Sequence, residues 1–300
     1  MKFRTEYSVV KSSFILSPDK PVVMAGSCFT ENIANKMRQH LWDARNPFGT
    51  LYNPYSISVA IELMLEGERG RQRFEKSLFE NNGIWSSYFF DSSFSSSHRE
   101  DCVKEFSKRQ EEFETGLEMG RVLVITFGTS ICYHLEKTGE IVGNCHKLPS
   151  SLFYRKRMSH GEIFNLWQSL LNRLLGIYPD LHVIFTVSPV RHLKDGFAGN
   201  MRSKAELILA VEEIVNRNKA SCCYFPAYEI MNDDLRDYRF YAPDLVHPSE
   251  EGVQYIWDIF TRTFIDKEGE RILSDGEKRW KAMNHRPKTG AMGKPIVSPV

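Results

Sequence analysis

Short apolar runs alternating with longer amphipathic stretches constrain this chain more than any other feature. The runs cover 21–25 (PVVMA), 121–127 (RVLVITF), 182–187 (HVIFTV) and 222–225 (CCYF). The first three end at Gly26, Gly128 and Ser188. Apolar runs of this length, bounded by small or turn-forming residues, read as strands buried on both faces. The stretches 31–41, 55–66, 99–118, 159–177, 203–218 and 250–264 carry apolar residues at helical spacing. Strands alternating with helices of this length predict an α/β sandwich with a mostly parallel central sheet. In such a sheet, ligands gather at the carboxyl ends of the strands. The segment 131–143 alternates around Lys137-Thr138-Gly139-Glu140 and predicts a β-hairpin inserted into that framework.

Composition narrows the function classes. A chain of 300 residues with 42% hydrophobic content buries a sizeable core. No internal repeat and no interior linker interrupts it. We therefore expect one domain over residues 1–285 and a flexible tail over 286–300, which is rich in proline and glycine. Lys and Arg number 39 and Asp and Glu 38, so the net charge of +1 creates no global field for nucleic acid or an anionic membrane. No apolar run approaches the roughly 18–20 residues of a membrane span. The start, Met1-Lys2-Phe3-Arg4, soon turns polar and lacks a secretory pattern. The six cysteines form no CxxC pair and no zinc-like spacing with histidine. Free thiols and no export signature fit a cytoplasmic protein.

The chemistry concentrates at strand ends. Gly26-Ser27-Cys28 places a serine on a strand-to-helix turn, where a hydroxyl is presented at the sheet edge and helix-terminal amides can stabilise an oxyanion. Asp244 and His247 are three residues apart on one loop, so one turn can present a histidine base together with its orienting carboxylate. A bland reading stands beside each: Ser27 as a helix cap, and 244–247 as a turn before the helix that follows Pro248. Cys28 is either a rival nucleophile or a buried thiol. No GxGxxG or Walker pattern follows the first strand, which disfavours a nucleotide-binding domain.

Several segments in fixed order resemble the GSCFA family, within the wider SGNH/GDSL-type hydrolases. They are Gly26-Ser27-Cys28-Phe29-Thr30, the loop 46–54 (NPFGTLYNP), Thr126-Phe127-Gly128-Thr129, Cys145-His146-Lys147, 186–192 (TVSPVRH) and 234–249 (DLRDYRFYAPDLVHPS). The resemblance implies a flavodoxin-like three-layer α/β/α fold. By similarity, Ser27 matches the nucleophile, Asp244 and His247 match the Asp-x-x-His pair, and Gly49 matches the glycine whose amide helps form the oxyanion hole, beside the amide of Cys28. The oxyanion asparagine of the wider superfamily is replaced here by Gly128-Thr129-Ser130, so Thr129, Ser130 or Asn144 must substitute.

The resulting expectation is a serine esterase or acyl hydrolase acting on a small or carbohydrate-like ester through an acyl-enzyme. It requires no cofactor and no metal, and its expected partner is a small-molecule ester substrate. An acyltransferase on the same triad and a non-catalytic small-ligand-binding domain are the alternatives. His192 is a substrate-orienting group, a second base or a satisfied polar residue. Arg191 either binds an anionic substrate group or forms a structural salt bridge. Trp85, Tyr88, Phe89 and Phe90 either roof an acyl pocket or pack their loop onto the domain. The basic run 154–157 reads as a solvated surface segment. Cys145 and His146 lack neighbouring ligands for a metal.

Overall fold

The computed structural model describes residues 4–284. In chain order the elements are β1 (Val22–Gly26), α1 (Cys28–Gln39), β2 (Ala44–Arg45), α2 (Pro54–Leu65), α3 (Glu68–Lys76), β3 (Leu78–Asn81), β4 (Ile84–Ser87) and α4 (Arg99–Gly120). Then follow β5 (Val122–Phe127), β6 (Ile131–Leu135), β7 (Ile141–Val142), β8 (Phe153–Arg157), α5 (His160–Ile177), β9 (His182–Val187) and α6 (Gly196–Arg217). The chain closes with β10 (Cys222–Phe225), a short turn α7 (Ala227–Glu229), α8 (Glu250–Phe264) and α9 (Lys267–Asn284). The tail expected over 286–300 lies outside the described residues.

The central sheet has five strands in the order β10-β9-β5-β1-β2, and every pairing in it is parallel. Alternate strand residues feed two separate cores, which makes the sandwich three-layered. Val23, Ala25, Leu123, Ile125, Val183 and Phe185 pack with helices α2, α4, α5 and α6. Val22, Met24, Val124 and Ile184 face the other way, toward α1, α8 and α9. This explains why β1, β5 and β9 read as continuous apolar runs rather than alternating ones.

The chain leaves β1 toward β2 on one side and crosses back to β5 on the other. The switch in strand order therefore falls between β1 and β5, where open α/β sheets leave a crevice for ligands. Ser27 follows β1 and Gly128 follows β5 at this point. Gly26 makes the approach possible. Its φ is +143°, and a Cβ there would sit 2.2 Å from the Thr126 carbonyl oxygen.

Four features extend or refine the sequence expectation. The hairpin over 131–143 is present as β6 and β7, but β8 adds to it, giving a three-stranded antiparallel sheet β7-β6-β8. The run 154–157 thus lies in strand β8; Tyr154, Lys156 and Arg157 are exposed as expected of a solvated segment, while Arg155 is half-buried. The stretch around Trp85–Ser97 packs onto the domain, one of the two alternatives the sequence left open. Phe90 and Phe94 are buried and pack with Phe74 and Phe106. Helix α9 went unread because its apolar positions are few; Leu273 is buried and Gly276 lies against the His40 backbone. Among the described residues no helix is long and apolar enough to cross a membrane.

Candidate active site

Ser27 is the N-cap of α1, with extended backbone. Its amide donates to the Thr126 carbonyl at 3.2 Å and its own carbonyl accepts from Thr30 at 2.8 Å. Its hydroxyl does not cap the helix. The side chain is 1% exposed and Oγ has no hydrogen-bond partner among the described residues. A buried hydroxyl without a partner is costly.

Beside Ser27 opens a cavity of about 520 Å³, lined by its neighbour Cys28 but not by Ser27 itself. Cys28, Thr129, Asn144, Arg191, His192 and His247 line it, and these candidates from five separate strand ends and loops therefore meet. Asp244 stands behind His247. Its Oδ2 pairs with His247 Nδ1 at 2.6 Å, while Oδ1 accepts the amides of Val246 at 2.9 Å and His247 at 3.0 Å. Those two amides, and then the imidazole, hold the Asp244 carboxyl down at about 2. The loop thus builds its own carboxylate–imidazole pair without help from the core. Ser27 Oγ and His247 are not hydrogen-bonded.

His192 lines the same cavity as His247 and approaches Ser27. The position that a Cβ on Gly128 would occupy lies 3.2 Å from Ser27 Cβ and 3.3 Å from His192 Nε2. Nε2 is buried and, like Ser27 Oγ, has no partner among the described residues. Burial, then Lys204 and then His247, push the His192 imidazole down to about 4, opposed only by Asp195. It is neutral at neutral pH.

A stability prediction follows from that shift. Between about 4 and its ordinary 6.5, the folded state holds less of the His192 proton than the unfolded state does. Stability therefore rises with pH through this window and falls on acidification, by about 3 kcal/mol in all. Urea midpoints measured from pH 7 down to pH 4 should fall more steeply for wild type than for His192→Gln. Parallel curves would refute the assignment.

Two expected site residues are turned elsewhere. Ser130 is fully buried; its amide and hydroxyl both meet Ser203 Oγ, at 2.8 and 3.1 Å. It belongs to packing between β5 and α6 and does not line the cavity. Gly49, with φ +68°, lies against the Asp91 carboxylate and does not line it either. Thr129 lines the cavity, but its hydroxyl is shared with Ser203 at 2.9 Å and its amide donates to the Tyr52 carbonyl at 3.0 Å. Asn144 accepts the His146 amide on Oδ1 at 2.7 Å, which leaves Nδ2 as its donor. The aromatic residues 85 and 88–90 do not line the cavity. His146 pairs with the Ser87 carbonyl oxygen at 2.8 Å, and among the described residues no three His, Cys, Asp or Glu side chains gather as a metal site requires.

With this geometry in place, the comparison with known families is direct. The model described as the GSCFA family matches residues 21–260, four-fifths of the chain, from β1 into α8. The chain belongs to the GSCFA family. A solved structure, that of a "putative acylhydrolase" from Bacteroides fragilis NCTC 9343, is similar with a TM-score of 0.40 and 16% identity, covering 89% of this chain and 92% of that one. No protein of curated function matches the chain.

This GSCFA chain also holds site residues that sequence reasoning missed. Lys204 is 1% exposed, on the inner face of α6. Its Nζ donates to the carbonyls of Gly128 and Ser188, both at 2.6 Å, and so ties the ends of β5 and β9 together beneath the cavity. Burial pushes its ammonium down to about 7. A lysine in an amphipathic helix reads as solvent-facing, and only the splayed strand ends explain its burial. Asn53 also lines the cavity. It caps α2, with Oδ1 accepting the Ser56 amide at 2.8 Å, and this orients the remaining Nδ2 as a donor.

Proposed function

We propose that this GSCFA protein is a serine acyl hydrolase of the SGNH kind, with Ser27 as nucleophile, His247 as general base and Asp244 as its orienting carboxylate. The observation that carries the reading is the 2.6 Å Asp244–His247 pair on the rim of a cavity that reaches Cys28, next to the unpartnered Ser27 hydroxyl, at the sheet's switch point. Asp244 fixes the tautomer that leaves His247 Nε2 free to accept a proton.

Ser27 Oγ attacks the ester carbonyl while its proton passes to His247. The carbonyl π electrons move to oxygen, then return as the C–O bond to the alcohol breaks. The alcohol leaves with the proton from the imidazolium. Water repeats the sequence on the acyl-enzyme and releases the acid. Donors for the oxyanion are the Cys28 amide at the start of α1 and His192 Nε2, whose depressed basicity keeps it neutral.

Cys28 is the competing nucleophile. Burial pushes its thiol up, outweighing the helix-terminal amides that pull it down, so it is protonated at neutral pH. The discriminating experiment is rapid mixing with 4-nitrophenyl acetate. A burst of nitrophenol matching the enzyme concentration should appear in wild type and in Cys28→Ala. Loss of the burst in Cys28→Ala would transfer the role to the thiol, and a burst that survives Ser27→Ala would remove Ser27 from the scheme.

A further inference from the structure

We propose that the ester held in this cavity carries a carboxylate or similar anionic group, and that Arg191 is the residue that binds it. The inference rests on the hydrolase reading only for the word ester; the anion site stands on its own geometry.

The charge around the cavity is one-sided. Arg155, Arg191 and Lys194 line it together with His192 and His247, and no Asp or Glu does. The chain as a whole is balanced at +1, so this is local placement and not a general basic character. The cations differ in how they are occupied. Arg155 is neutralised by Asp195, with Nη1 at 2.7 Å from Oδ1 and Nη2 paired with Oδ2. Lys194 donates to the Tyr133 hydroxyl at 2.9 Å and lies over that ring.

Arg191 forms no ion pair among the described residues. Its guanidinium lies over the rings of Tyr241 at 4.1 Å and Tyr238 at 5.2 Å. Stacking on a ring face fixes the plane of a guanidinium and leaves its N–H edge free for bidentate contact with a carboxylate. Its backbone amide donates to the Val246 carbonyl at 3.2 Å, which fastens it beside His247. A substrate anion on Arg191 would therefore lie in the same cavity as the reacting ester. A merely structural Arg191 would staple 238–241 to the 244–247 loop and leave charge selectivity unaffected.

The test compares three ligands on the Ser27→Ala protein by titration calorimetry: phenyl acetate, 3-acetoxybenzoate and monophenyl succinate. The last two carry a carboxylate on the alcohol side and the acyl side respectively. At least one of them should bind about tenfold or more tightly than phenyl acetate, and added salt should erode that ratio. Introducing Arg191→Gln should abolish the ratio, and Arg191→Lys should retain part of it. Because the ratio is taken within each variant, a general weakening cancels. If neither anionic ester is preferred, or if the preference survives Arg191→Gln, the proposal is wrong. The binding result does not depend on turnover, so failure of the Ser27 mechanism would appear separately, in the burst experiment.

Discussion

Ser27→Ala is expected to lower turnover of a short-chain aryl ester by about 10⁴-fold or more. The fold should not suffer. The hydroxyl that is removed makes no hydrogen bond, does not cap α1 and is 1% exposed. Deleting a buried, unpartnered polar atom relieves its desolvation cost, so the variant should be as stable as wild type or more stable, by up to about 1 kcal/mol. That opposite movement of activity and stability is characteristic of a functional group held at structural expense. If Ser27 were a structural serine, alanine would cost stability and leave turnover largely intact. Thermal melts and ester hydrolysis on the same preparation separate the two.

His247→Ala is expected to produce a loss of similar size, about 10³–10⁴-fold or more, and the losses should not add. Once the serine cannot be deprotonated, removing the serine as well has little left to remove, so Ser27→Ala/His247→Ala should be no slower than the worse single variant. Stability should change little, because the imidazole is exposed on the cavity rim and pairs only with Asp244. Multiplicative losses in the double variant would mean that the two residues act independently, and would rule out a shared proton transfer.

The strands that position the site were legible because each is buried on both faces. Val22–Gly26, Val122–Phe127 and His182–Val187 have no exposed position. Strand β2 was not legible, since it contributes only two paired residues to the sheet edge. Asp244 and His247 were readable as a pair because their interaction is local, closed within one turn. Side-chain direction was the limit elsewhere. Thr129 and Ser130 are adjacent hydroxyls after one strand, and both meet Ser203, a residue on a helix some seventy positions away, yet only Thr129 borders the cavity. Arg155 sits in a basic run that reads as solvated, but strand alternation turns it inward while Tyr154 and Lys156 face out. Lys204 needed the three-dimensional fact that β5 and β9 end in carbonyls with no strand partner, which no spacing in the sequence encodes.

The most direct test of the central claim is to find the atom that a serine-directed fluorophosphonate modifies. Peptide mapping of the treated protein should locate one adduct on Ser27, absent after Ser27→Ala and retained in Cys28→Ala. An adduct on Cys28, or no adduct on a preparation that hydrolyses the ester, would contradict the account.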